Sequence, residues 1–347
     1  MNLPSNVKEN VVLSPHTTIS LGGKARYFSQ CTKVDHIREN LRWAYNHGVP
    51  IQLLGGGSNI IFPDDGYDGL VLRIALQGTT FATEGVTVAS GETWDKVVEA
   101  SVKRGLAGLE CLSGIPGQVG ATPIQNVGAY GQEVSETILW IDALDRKSLE
   151  IIRIPGCECG FEYRQSRFKN SDFEKYVITS VHYKLRPNGK PTVSYPELKK
   201  RVDKKLLNQS GPKALSAIRK IVLSLRRNKS MLIDSEDPLS RSVGSFFVNP
   251  IIDSKQAAEL KSDHPELPQY PSLEKIKIPA AWLVEHAGFE KGFRYGGVGI
   301  SDRHALAIVN FNGSTKELLK LADKIRNSVI SNFGIELQFE PVVVSIE

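Results

Sequence analysis

An α+β fold is predicted for this chain, on three observations. Period-two apolar runs and runs with an apolar residue at every third or fourth position are interleaved along its whole length. They mix on both sides of a change in character near Pro187–Pro191, which places a boundary between about 187 and 212. A long glycine-rich stretch, 113–131, interrupts them with little periodicity of its own.

The elements follow in order. Residues 35–47 place Ile37, Leu41 and Tyr45 on one helical face, and Gly48 stops the helix. Residues 51–54 form a short apolar strand that enters Gly55-Gly-Gly-Ser-Asn59 directly. Residues 70–74 and 86–89 read as strands, and 94–103 as a helix turning Trp94, Val97, Val98 and Val102 inward. Residues 177–185 alternate as a half-buried strand does. Ser194-Tyr-Pro-Glu197 reads as a capping box with proline in the first turn. Residues 213–227 form an amphipathic helix; Asp253 starts another, and 279–286 a third that Gly288 stops. Ser314-Thr-Lys-Glu317 caps the last and longest helix, which ends at Gly334, and a closing strand is predicted over 335–344.

Composition bounds the function. The 347 residues are 41% hydrophobic and 23% charged, enough for a sizeable core in about two to three domains. The net charge of +5 suits an anionic small substrate. With no dense Lys/Arg tract and no RNP-like motif, nucleic acid is not an expected partner. The basic run 199–205 reads as a solvated helix face. The four cysteines make neither a disulfide framework nor a zinc site, so free thiols in a reducing cytoplasm are expected. No signal-peptide pattern and no apolar run of membrane-spanning length is visible, so no membrane partner is expected.

The run Gly55–Asn59 offers successive backbone N–H groups that suit a pyrophosphate, although a tight turn explains it equally well. It lacks the Lys-Ser/Thr of a P-loop and the Gly-x-Gly-x-x-Gly of a nicotinamide site. The second loop, with its small residues, suits a flat ring and a diphosphate. Gln125 and Asn126 are placed to bond ring heteroatoms.

These paired loops, Leu54-Gly-Gly-Gly-Ser-Asn59 and Gly114-Ile-Pro-Gly117…Pro123-Ile-Gln-Asn-Val-Gly-Ala-Tyr-Gly131, resemble the flavin-binding half of the UDP-N-acetylenolpyruvoylglucosamine reductase family. Pro15-His-Thr-Thr18…Gly22-Gly23 is similar to that family's N-terminal motif. The resemblance implies a two-lobed FAD-binding fold of the vanillyl-alcohol-oxidase (PCMH) type with a C-terminal α+β substrate domain. It implies lobes at 1–78 (joined by the C-terminal strand 335–347) and 79–211, and a substrate domain at 212–334. FAD is expected to be non-covalent, held by Gly55, Gly56, Gly57, Ser58 and Asn59 in the first loop. In the second, Ser113, Gly114, Ile115, Pro116, Gly117, Gly120, Ala121, Gln125, Asn126, Gly128, Ala129 and Tyr130 are the expected contacts. NADPH is the implied electron donor, sharing one site with UDP-N-acetylglucosamine enolpyruvate, and a monomer is expected.

The same resemblance implies the chemistry. Hydride goes to C3 of an enolpyruvyl ether, and an enzyme acid protonates C2. Ser245, in Gly244-Ser-Phe-Phe-Val-Asn-Pro250, matches the family's proton donor; a serine needs neighbours that stabilise its alkoxide. Arg164, in a Tyr-Arg-x-Ser motif, suits a carboxylate because its planar fork bonds both oxygens. Glu340 matches the family glutamate that works beside the arginine, with Glu336 as rival; acid action requires a raised pKa. Tyr195 resembles the tyrosine that closes over substrate in the longer subclass. Lys229, Asn249, Tyr270 and His286 are further expected substrate contacts. The chain departs from the family pattern at Val248, Val342 and His286, where relatives commonly carry lysine, arginine and glutamine. Two other readings remain open: a same-fold FAD oxidase or dehydrogenase of another sugar or alcohol, and a non-catalytic nucleotide-binding regulator.

Overall fold

Residues 2–234 and 236–345 are described by the structure, a computed structural model. Met1, Ser235, Ile346 and Glu347, which belong to the expected ranges 1–78, 212–334 and 335–347, lie outside the described residues. The chain divides into two units: the segments up to Val11, Ala25–Gly56 and Asp68–Arg227, and the segments Val12–Lys24, Gly57–Tyr67 and Asn228 onward.

The first unit is built on two larger sheets, with two-stranded pairs beside them. One has the order Val7–Val12, Lys24–Cys31, Tyr67–Ile74, Ile51–Leu54, and its last pair is parallel with Ile51 opposite Leu70. The helix Val34–Asn46 buries Ile37, Leu41, Trp43 and Ala44 in the same core as Tyr27, Leu70 and Leu72. The second sheet is antiparallel: Ile151–Pro155, Ile138–Asp145, Tyr176–Lys184, Gly85–Ala89, Thr79–Ala82. Against it the helix Trp94–Lys103 turns Trp94, Val97, Val98 and Val102 into the core, the face its periodicity predicts. Trp94 is fully buried, and its indole N–H donates to the Leu112 carbonyl at 3.2 Å, so the ring meets no unsatisfied polar group. The helix Gly211–Arg227 buries Ala214, Leu215, Ile218, Val222 and Leu225 along one stripe.

The second unit is built on the antiparallel sheet Ser242–Ser245, Ala307–Asn310, Val298–Ile300, Arg294–Tyr295. The helix Thr315–Phe333 buries Leu318, Leu321, Ala322, Ile325, Val329 and Phe333. Ser314 and Glu317 form the predicted capping box, and Gly334 ends the helix at φ 63°. Asp64 adds a second cap, its carboxylate accepting from the Thr315 and Lys316 N–H groups at 2.8 and 3.0 Å. Both acidic groups sit at the positive end of the helix dipole.

Two local expectations are corrected. The predicted capping box at residues 194–197 does not form. Tyr195 is the N-cap of the short helix Pro196–Lys199, with proline at its first position, and Ser194 Oγ instead donates to the Gly131 carbonyl. The predicted strand over 335–344 is regular only at Val342–Val343, which pairs in parallel with Ile60–Ile61. The preceding residues change partners: Gln338 O accepts from Val248 N, Glu340 N donates to Phe246 O, and Val342 N donates to Asn59 O. A segment that pairs first with residues 246–248 and then with 59–61 builds no single continuous ladder.

Candidate functional site

The two glycine loops interlock in the first unit. The strand Ile51–Leu54 delivers Gly55 and Gly56 to the surface of the second loop. A Cβ on Gly56 would lie 2.8 Å from the Gly117 Cα, so the backbones approach as only glycine permits. The second loop is laid along the start of the helix Trp94–Lys103: Trp94 N donates to Gly117 O, Val119 N to Glu92 O, and Gly120 N to Ser90 O. Asp95 fixes Gly114 by accepting its N–H at 2.6 Å, and both its oxygens accept from Arg219, at 2.5 and 2.7 Å. Burial pushes the Asp95 carboxyl up, but the Arg219 and Gly114 hydrogen bonds outweigh it and hold the group below the ordinary carboxylate range.

Gly114, Ile115, Pro116, Gly117, Gln125, Gly128, Ala129 and Tyr130 are half-buried, and Ala121 is exposed. Gly120 packs on Ser90, where a Cβ would come within 2.6 Å of the serine Cβ. At two of the expected cofactor contacts the side chain is engaged within the protein. Ser113 is fully buried and its hydroxyl donates to Glu110 O at 2.7 Å. Asn126 is 1% exposed, and its amide nitrogen donates to Glu133 Oε2 (2.7 Å) and Glu162 O (3.1 Å), so neither N–H remains for a flavin ring. Sequence reasoning missed Gln118. Its Oε1 is buried without a hydrogen-bond partner among the described residues, 3.4 Å from the point where a Gly55 Cβ would stand. That Cβ would otherwise meet open space. A bare glycine beside a buried acceptor awaiting a donor fits FAD, whose ribose hydroxyls, ring N3–H and adenine amine all donate.

Arg164 lies in a tight hairpin turn, with Glu162 and Gln165 exchanging both backbone hydrogen bonds and Arg164 at φ 57°. Its guanidinium donates to Gly128 O at 3.0 Å. Tyr195 is 42% exposed and sets its ring edge-on to Tyr130, with centroids 5.6 Å apart. Burial raises the Tyr130 phenol to about 12, against a smaller opposing pull from Arg226.

The second unit carries the remaining candidates. Gly57 is pressed on the His16 carbonyl, where no Cβ fits. Thr18 N donates to Gly57 O at 2.9 Å, and Thr18 Oγ1 donates to Ser242 O at 2.6 Å. The N-terminal motif thus ties the glycine run to the strand that carries Ser245. Ser58 and Asn59 are half-buried, and Asn59 Nδ2 donates to Glu340 O at 3.2 Å. Ser245 is half-buried at the end of its strand, immediately before the buried Phe246 and Phe247. Phe247 pairs with Phe339 in an antiparallel bridge, and Glu340 N donates to Phe246 O at 2.9 Å. Ser245 and Glu340 therefore stand on neighbouring segments in fixed register, whereas Glu336 is an exposed residue of the approach.

The other expected substrate contacts differ in kind. Asn249 Oδ1 accepts from Ala280 N at 2.9 Å, which caps the helix Ala280–His286. His286 stacks on Trp282 at 3.7 Å and pairs its Nδ1 with the Trp282 carbonyl. Both residues thus have local structural work. Tyr270 is 52% exposed at a strand edge. Lys229 is half-buried in the turn that follows the helix Gly211–Arg227, next to Ser230, whose hydroxyl accepts from Ser301. Among the described residues no cluster of His, Cys, Asp and Glu could hold a metal, and no helix is long and apolar enough to cross a membrane.

Comparison with known proteins agrees with this geometry. Residues 25–153 match the FAD binding domain family, and residues 236–344 match the family described as UDP-N-acetylenolpyruvoylglucosamine reductase, C-terminal domain. The chain is 39% identical to the UDP-N-acetylenolpyruvoylglucosamine reductase of Thermobifida fusca over 99% of both chains. It is 42% identical to that of Streptomyces avermitilis over 96% of this chain and 94% of the other. The crystal structure of the Thermus caldophilus reductase superposes with a TM-score of 0.68 at 23% identity, covering 97% of this chain and 98% of that one, which shows a shared fold. The loops, the FAD-binding half and the full-length identity together place this chain in the UDP-N-acetylenolpyruvoylglucosamine reductase family, as an FAD-dependent oxidoreductase of peptidoglycan precursor synthesis.

Proposed function

We propose that the chain uses NADPH to reduce UDP-N-acetylglucosamine enolpyruvate to UDP-N-acetylmuramate, with Ser245, Arg164 and Glu340 as its catalytic residues. The observation that carries the reading is the register between Ser245 and Glu340, set by the Glu340 N to Phe246 O hydrogen bond. Bound FAD, once reduced by NADPH, supplies the hydride that goes to C3 of the enolpyruvyl group. Ser245 gives its hydroxyl proton to C2. Arg164 bonds the substrate carboxylate, which gains electron density as C3 accepts hydride. Glu340 holds charge and proton balance beside the reacting carboxylate. Tyr195, Lys229 and Tyr270 are assigned to the UDP end, Lys229 for its charge and the tyrosines for their flat, exposed rings. NADPH and substrate use one site in turn, and the enzyme works as a cytoplasmic monomer. The buried Cys31, Cys111 and Cys159 and the exposed Cys157, all free thiols, support a reducing compartment.

The test is anaerobic spectroscopy of the purified yellow protein. NADPH is expected to bleach the flavin, and UDP-N-acetylglucosamine enolpyruvate to restore its colour. Restoration by oxygen but not by this substrate would replace the reductase reading with an oxidase.

A further inference from the structure

Arg164 sits in a two-residue turn and in a left-handed backbone conformation that arginine rarely adopts. Such a turn does not hold a long side chain in one place by itself. Here the loop 124–128 clamps it at three successive points. Ile124 O accepts from Ser166 Oγ at 2.5 Å, Asn126 Nδ2 donates to Glu162 O at 3.1 Å, and Gly128 O accepts from the Arg164 guanidinium at 3.0 Å. Asn126 is the centre of the clamp. It is 1% exposed. Its second N–H donates to Glu133 Oε2 at 2.7 Å, and its Oδ1 accepts from Ser135 N at 3.1 Å. One amide therefore joins the glycine loop, its return segment and the Arg164 turn.

The chemistry of the partners limits what can stand there. Glu133 Oε2 and the Glu162 carbonyl are both acceptors, and Ser135 N is a donor. Only a primary amide offers two donors and one acceptor from so short a stem. An aspartate would turn acceptor against acceptor. The buried amide reaches the carbonyl two residues before Arg164, so its loss acts on the turn that aims the guanidinium.

We propose that Asn126 is a positioning residue for Arg164, holding its guanidinium where it receives the substrate carboxylate, with Ser166 as the second clamp. This rests on the assignment of Arg164 to the carboxylate.

The test uses FAD-loaded enzyme and the variants Asn126→Ala, Ser166→Ala, Arg164→Ala and Asn126→Ala/Arg164→Ala. Calorimetry measures binding of UDP-N-acetylglucosamine enolpyruvate, and stopped flow measures both half-reactions. Asn126→Ala is expected to weaken binding and slow flavin reoxidation by about 10- to 100-fold, as misplacement of a binding group by about an ångström does. Ser166→Ala should shift both in the same direction by less. NADPH reduction should stay within about twofold, and adding Asn126→Ala to Arg164→Ala should cost nothing further, because a positioning residue has nothing left to position. Losses that multiply in the double variant would show an independent structural role and overturn the proposal. So would wild-type binding by Asn126→Ala beside a defective Arg164→Ala, which leaves the Arg164 assignment standing. Wild-type behaviour of Arg164→Ala removes that assignment and the proposal with it. Should Asn126→Ala fail to retain FAD, Ser166→Ala carries the same cycle.

Discussion

The backbone N–H of Glu340 donates to the carbonyl of Phe246 across 2.9 Å, which sets Glu340 against the residue that follows Ser245. Phe246, Phe247 and Phe339 pack ring against ring beneath this contact, with centroids 5.2 to 5.7 Å apart. The pairing is thus backed by packed aromatic surface, which keeps the serine and glutamate segments in register.

Ser245→Ala removes the proposed proton donor and little else, since its neighbours Phe246 and Phe247 remain buried. NADPH should still bleach the flavin at the wild-type rate, while reoxidation by substrate falls by about 10²- to 10⁴-fold. Stopped-flow absorbance separates the two steps. Wild-type turnover by this variant would remove the serine assignment.

Glu340→Gln keeps the backbone bond to Phe246 and changes only the carboxylate. Reoxidation should slow by about 10²- to 10³-fold, whereas Glu336→Gln, an exposed change, should leave it unaltered. The reverse ranking would make Glu336 the working glutamate.

Gly56→Ala forces apart the two loops, because the new methyl meets the Gly117 Cα at 2.8 Å. The variant should lose about 1–3 kcal/mol of stability and purify with less bound flavin. Full flavin content at an unchanged melting temperature would show that the loops have room to spare.

Asp95 has a depressed folded pKa, so its stabilising contribution is complete above the unfolded carboxylate value of about 3.9 and is lost as pH falls through the folded one. Asp95→Asn should lower the melting temperature at neutral pH, and its gap from wild type should close on acidification below about pH 4. A gap that stays constant to about pH 3 would mean that the Arg219 and Gly114 contacts do not depend on the charge.

Some features were legible because their physics is local. The Ser314–Glu317 capping box, the Gly334 stop and the buried stripe of Trp94–Lys103 depend on residues three or four apart, and each forms as its spacing predicts. The glycine loops were legible as loops for the same reason. Their partners were not. Asn126 looks like a ring-binding amide in sequence, yet its donors go to Glu133 and to Glu162, the latter 36 residues away. Gln118 passes as filler until folding buries its oxygen beside Gly55.

By itself the sequence determined the mixed α+β character, the two glycine loops and the resemblance that named Ser245, Arg164 and Glu340. Only the tertiary structure decided what those residues stand on. It set Glu340 against Phe246, split the expected closing strand between two pairings, and tied the Asn126 amide to the Arg164 turn. The reason is that caps and amphipathic stripes are settled within one turn of chain, whereas a backbone N–H or a buried amide takes whichever distant acceptor the packed core brings within about 3 Å.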